Sequence, residues 1–183
     1  MSTTTLMSFA EFEQLDEGFE DIELLNGELI RMPYPQFAHM DTVQRLFELF
    51  KSGVEHLRKE RPSLDLGKVY MEMGYRFPGE PGSGLRPDVS LTHPNQLIDR
   101  FYIGAPLIAF EVVSQSERAV RLDEKVRLFL ANGAAEVWLI YPGPSPNQGH
   151  ALVYDGSATV RNETRSIHTS LLPGIDIPLS EIL

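Results

Sequence analysis

A chain of 183 residues, 42% apolar and 23% charged, has the size and balance of one compact domain that buries a core without staples. It holds no cysteine, which excludes disulfides and thiolate metal centres, and its formal net charge is −10. That charge opposes broad adhesion to nucleic acid, which rests on Lys and Arg neutralising phosphates, although an acidic body can still carry a local basic cleft.

Residues 1–7 lack a basic start and a long apolar run, and no stretch is long and apolar enough to span a bilayer. A cytoplasmic protein is expected. Ser8-Phe9-Ala10-Glu11 has the form of a capping box and opens a short helix to about Leu15, stopped by Asp16-Glu17-Gly18. Residues 22–25 and 28–32 flank Asn26-Gly27, a pair that accepts positive φ at both positions, so a hairpin is expected. Met32-Pro33-Tyr34-Pro35 is a stiff connection. Val43, Leu46, Phe47, Phe50, Val54 and Leu57 recur at three and four, which predicts a long amphipathic helix over 38–60 that Arg61-Pro62 ends. Strands are expected at 67–73, 75–77 and 86–91. The glycine-rich stretch 78–84 lacks the GK[ST] ending of a phosphate loop and reads as a flexible turn. Residues 93–104 read as a loop or short helix.

Leu107-Ile108-Ala109-Phe110-Glu111-Val112-Val113 is short, β-branched and aromatic, the pattern of a central strand buried on both faces. A helix over 120–132, capped by Gly133, and a strand over 136–141 complete a βαβ unit whose strands should be parallel neighbours. A polar loop over 142–149 leads to a second hairpin, 151–154 with 157–160. The tail, 171–179, is expected to pack back as an edge segment. One α/β domain is the reading.

Glu111 sets the chemical question, because an unpaired carboxylate in a buried strand is expensive. Asp88 and Glu111 on adjacent strands, with Lys125 from the helix that follows, are the parts of a Mg²⁺ site for phosphodiester cleavage. Mg²⁺ takes hard oxygen ligands and keeps several waters, so two carboxylates and the Val112 carbonyl suffice; Mn²⁺ could replace it. The metal would acidify its water, and Lys125 would orient that water or offset transition-state charge. Leu122, Val126 and Phe129 turn one helix face to the sheet, and Lys125 lies roughly 60° from Leu122, at the border of that face. Arg121, and roughly Arg118, line the same edge. The plainer readings are a surface Asp88 after a proline, a Glu111 that serves as structural partner to Lys125, and a solvated Lys125. His39, His56, His93, His150 and His168 show no metal spacing, and capping or solvent suits His39. Ser114 and Ser116 form no nucleophile elbow, and Trp138 reads as core.

Pro87-Asp88, then Glu111-Val112-Val113, then Lys125 on the next helix resembles the PD-(D/E)XK nuclease superfamily, with the lysine moved from the position Val113 occupies. More narrowly, the chain resembles the Uma-two family of restriction-type endonucleases, a domain-of-unknown-function group. The likeness runs through residues 7–12, 22–30, 87–89, 110–114, 123–125, Gly133, 136–140 and 172–175. Ser114-Gln115-Ser116 departs from the family's Ser-Pro-Ser, and Phe129 and Val137 stand where tyrosine is frequent. The resemblance implies a restriction-endonuclease-like core, a central mixed β-sheet flanked by helices with an N-terminal and a C-terminal hairpin. It implies Glu23 as a further active-site carboxylate, although alternation alone allows Glu23 the solvent face of its hairpin. It also implies DNA as partner and a homodimer. Two functions are therefore expected to compete: a Mg²⁺-dependent endonuclease, and a non-catalytic nucleic-acid-binding or dimeric assembly module that keeps the fold.

Overall fold

The structure, a computed structural model, describes residues 6–15, 22–79, 81–114, 119–145, 148–157 and 159–183. Its centre is strand β8 (Ile108–Val112), every residue of which is buried. The alternation of a strand sends Ile108, Phe110 and Val112 to one face and Ala109 and Glu111 to the other. On the first face lies the long helix α2 (Phe37–Glu60), whose Val43, Leu46 and Phe50 join Phe110 and Trp138 in the larger core. The Phe50 and Phe110 rings meet edge-on at 4.9 Å between centroids. Helix α3 (Ala119–Ala131) covers the second face with Leu122, Val126 and Phe129.

Strand β9 (Glu136–Tyr141) runs parallel to β8, as the βαβ reading requires. These strands are the middle of a six-stranded sheet that continues on one side through β6 (Val89–Leu91) to β3 (Val69–Met71). On the other side it continues through β10 (His150–Tyr154) to β11 (Arg161–Glu163). A second sheet of five strands has β1 (Ile22–Leu25) and β2 (Glu28–Arg31) at one side. It then runs through β5 (Ser83–Leu85) and β4 (Tyr75–Phe77) to β7 (Tyr102–Ile103). Its inner face supplies Leu25, Tyr75, Phe77 and Leu85 to the core that α3 shares with Ala109, Val137 and Leu139. The outer face carries Leu24 under Phe9 and Phe12 of the short helix α1 (Phe9–Phe12). Among the described residues no helix is long and apolar enough to cross a membrane.

Local signals hold where they are strong. Asn26 and Gly27 have φ of 48° and 82°, and the Ser8–Glu11 capping box closes in both directions. The Asp16-Glu17-Gly18 stop lies outside the described residues. Other expectations are corrected. The stretch 78–84 is not just a turn: Ser83–Leu85 is a strand bonded to both β1 and β4. Its Gly84 is required by close approach, since a Cβ there would lie 2.6 Å from the Phe9 ring. The partner of β10 is Arg161–Glu163 rather than 157–160, because Asp155 and Ser157 close a turn with their own backbone first. The 86–91 strand begins only at Val89, and the tail strand β13 (Asp176–Pro178) pairs with β12 (Ser166–His168) and ends in helix α4 (Leu179–Ile182).

Candidate active site

Three elements bring charged side chains into the largely apolar space between the two sheets. Glu23 shares the inner face of β1 with Leu25, Glu111 shares the second face of β8 with Ala109, and Lys125 stands between Leu122 and Val126 on α3. All three are buried, with 3%, 5% and 3% of their surface exposed. Lys125 Nζ lies 2.9 Å from Glu23 Oε2 and 3.5 Å from both oxygens of Glu111. Such burial is tolerable because the ammonium sits between two carboxylates. Lys125 is therefore not a solvated helix residue, and Glu23 does not take the solvent face.

Asp88 approaches the same place from the start of β6. Continuing the β6–β8 register past Val89↔Phe110 sets Asp88 opposite Glu111 and Pro87 opposite Val112. Proline has no N–H, so Pro87 has nothing to donate to the Val112 carbonyl. The Val112 N–H instead donates to Asp88 Oδ2 at 2.6 Å, which fixes the carboxylate against the backbone beside Glu111. The other oxygen, Oδ1, is 3.3 Å from His39 Nε2. His39 is thus neither a cap nor a solvated residue, which corrects the expectation for it. The signal was available: His39 lies four residues before Val43 and seven before Leu46, on the core face of α2.

Glu23 is held differently on its two oxygens. Oε1 accepts the backbone N–H of Arg86 at 2.9 Å. Oε2, for all its closeness to Lys125, has no aligned hydrogen bond, and among the described residues it is the buried side-chain oxygen left in that state. Glu136 gives the contrast. It is as buried as Glu111, yet it accepts from Trp138 Nε1 at 2.9 Å, Thr169 Oγ1 at 2.9 Å and Arg161 at 3.0 Å, which is a complete structural network.

Three carboxylates against one ammonium leave the cluster negative and oxygen-rich, a donor set that fits a hard divalent cation. Among the described residues no three His, Cys, Asp or Glu side chains form a ready metal cage. Mg²⁺ does not need one, since it binds through one or two carboxylates and keeps its waters. Of the basic stripe expected along α3, Arg121 is exposed and Arg118 lies outside the described residues, as do Gln115 and Ser116.

The fold defines a nuclease-like α/β architecture. The crystal structure of "a putative nuclease belonging to DUF820" from Anabaena variabilis ATCC 29413 superposes with a TM-score of 0.78. The likeness covers 96% of this chain and 97% of that one at 18% identity. No match is found among curated proteins. The model of the Uma2 family, described as "Putative restriction endonuclease", matches residues 9–180. The chain belongs to that family, as the resemblance in its motifs led one to expect.

Proposed function

We propose that the protein is a Mg²⁺-dependent endonuclease that hydrolyses phosphodiester bonds of DNA, acting as a homodimer. Asp88, Glu111 and the Val112 carbonyl would hold the metal, and Mn²⁺ could stand in for it. One observation carries the reading: Glu23, Asp88, Glu111 and Lys125, distant in sequence, converge at one end of the central strand. Their separation along the chain makes a chance surface cluster a poor explanation.

Bound there, Mg²⁺ would lower the pKa of a coordinated water and offset charge on the scissile phosphate. The chain's own residues would supply the rest. Asp88, braced by the Val112 N–H and His39, keeps its carboxylate in a fixed direction. Lys125, held by Glu23 and Glu111, places a positive charge where it can orient the attacking water or offset charge on the phosphoryl oxygens. Burial strengthens each of these interactions relative to water.

The ion-paired state of Lys125 also suits the second reading, a binding or assembly module in which the cluster serves only to hold the sheets together. Cleavage separates the two. Supercoiled plasmid and single-stranded DNA incubated with Mn²⁺ should be nicked by the wild-type protein, and Asp88→Ala and Lys125→Ala should each lower the rate by at least about a hundredfold. Absence of cleavage by folded wild-type protein, or equal cleavage by all three, would favour the module.

A further inference from the structure

Two cations make a claim on Glu111. It is the carboxylate that would hold a metal together with Asp88, and it is also one of the two that neutralise the Lys125 ammonium. A divalent cation on Glu111 and an ammonium against the same two oxygens repel each other, with little water between them to screen the charge. With 3% of its surface exposed, Lys125 does not meet solvent that could take up its charge. Loading the site therefore needs a second place for the ammonium inside the protein.

Glu23 supplies that place. Lys125 Nζ straddles the Glu111 carboxylate at 3.5 Å from each oxygen, longer than the ~2.7–3.2 Å of a good N–H···O bond. It lies 2.9 Å from Glu23 Oε2, close enough for such a bond but not aligned for it. Lys125 is thus committed to neither carboxylate. A rotation about the terminal bonds of its side chain would turn an N–H onto Oε2 and release Glu111. Glu23 is a fixed receiver, because its other oxygen accepts the Arg86 N–H at 2.9 Å and its strand is paired on both sides. Residues 86–88 thereby fix the receiver of the lysine at one end and carry Asp88 at the other.

We infer that Glu23 is a positioning residue that takes Lys125 over when a divalent cation takes Glu111. The inference rests on the metal-dependent reading and deepens it, because it gives the fourth charged residue a part that needs no contact with metal or DNA. With Glu23 present, the metal displaces an ammonium that has a partner waiting and stays beside the site. Without it, the metal must compete with Lys125 for Glu111 or leave an ammonium buried and unpaired, which is strongly unfavourable. No covalent bond changes, and the ammonium keeps its protons.

The test is a double-mutant cycle read by calorimetric titration with Mn²⁺ alone, without DNA or turnover. Asp88→Ala should abolish the heat seen with wild-type protein, which assigns that heat to this site. Glu23→Gln keeps an oxygen for the Arg86 N–H but removes the charge that receives Lys125. It should weaken Mn²⁺ binding by about tenfold, the scale of coupling between groups in contact. In a Lys125→Gln background, which has no ammonium to move, the same change should weaken binding by about twofold at most. Lys125→Met provides that background if Lys125→Gln does not fold, and thermal melting checks every variant. An equal effect of Glu23→Gln in both backgrounds, none included, overturns the inference and leaves the metal site standing. No Mn²⁺ heat from folded wild-type protein, or heat that Asp88→Ala retains, overturns the metal-dependent reading and the inference with it.

Discussion

Glu23 and Glu136 show how much a residue's meaning depends on its partners. Both are glutamates in strands and both are buried, but Glu136 accepts from Trp138, Thr169 and Arg161, whereas Glu23 Oε2 has the Lys125 ammonium at 2.9 Å without an aligned hydrogen bond. Removing that ammonium would leave the carboxylate buried and unpaired, which costs about 3–5 kcal/mol. Buried tyrosines give a cleaner test of burial at this scale. Tyr75 donates to Ser90 Oγ at 2.8 Å, and Tyr70 and Tyr102 share a hydrogen bond at 3.1 Å between the sheets. Burial, with the contact to Tyr70 behind it, pushes the Tyr102 hydroxyl up to about 12. Burial raises Tyr75 as well, against a smaller opposing effect of its bond to Ser90. A raised acid pKa favours the neutral form in the folded state only. The associated stability is therefore complete below the unfolded value near 10 and is lost as pH climbs through the folded one. Urea unfolding midpoints should fall between about pH 10 and 12. Tyr75→Phe should lower the neutral-pH midpoint, because Ser90 loses its partner, and should make the alkaline decline shallower. An identical decline in wild type and variant would disprove the assignment.

At the scale of elements, local and non-local signals part company. The capping box, the Asn-Gly hairpin and the helix–strand alternation around β8 were legible because each is written within a few neighbouring residues. Strand β5 was not, because three residues beside a glycine-rich stretch carry no period. Its identity comes from pairing with Leu24 on one side and Tyr75, Arg76 and Phe77 on the other. Gly84 is the point where that pairing meets α1. Gly84→Val should destabilise the protein by about 1–3 kcal/mol, the range for forcing extra methyls into a packed site. It should do so by displacing Phe9, which a thermal melt and the near-ultraviolet spectrum would report. Unchanged melting would mean that α1 is not seated on this strand.

The whole molecule carries a net charge of −10, and its candidate site is itself rich in carboxylates. Association with DNA should consequently depend on a divalent cation and on few direct phosphate contacts. A plot of log K against log salt falls by about 0.9 per phosphate neutralised, so a slope shallower than about −5 is expected in Ca²⁺, with binding lost on chelation. A steep slope that survives chelation would reveal a broad basic surface, and would count against the proposed site as the point of contact.

The amino-acid sequence by itself determined the buried central strand, the βαβ unit and the family, because hydrophobic period, turn chemistry and motif order are properties of neighbours along the chain. It marked Asp88, Glu111 and Lys125 as candidates through residue type and order. Only the tertiary structure decided that Glu23 turns inward onto Lys125 and that His39 meets Asp88. Those facts depend on how two sheets and two helices close on one another, and contacts between such distant segments leave no period in the sequence to read.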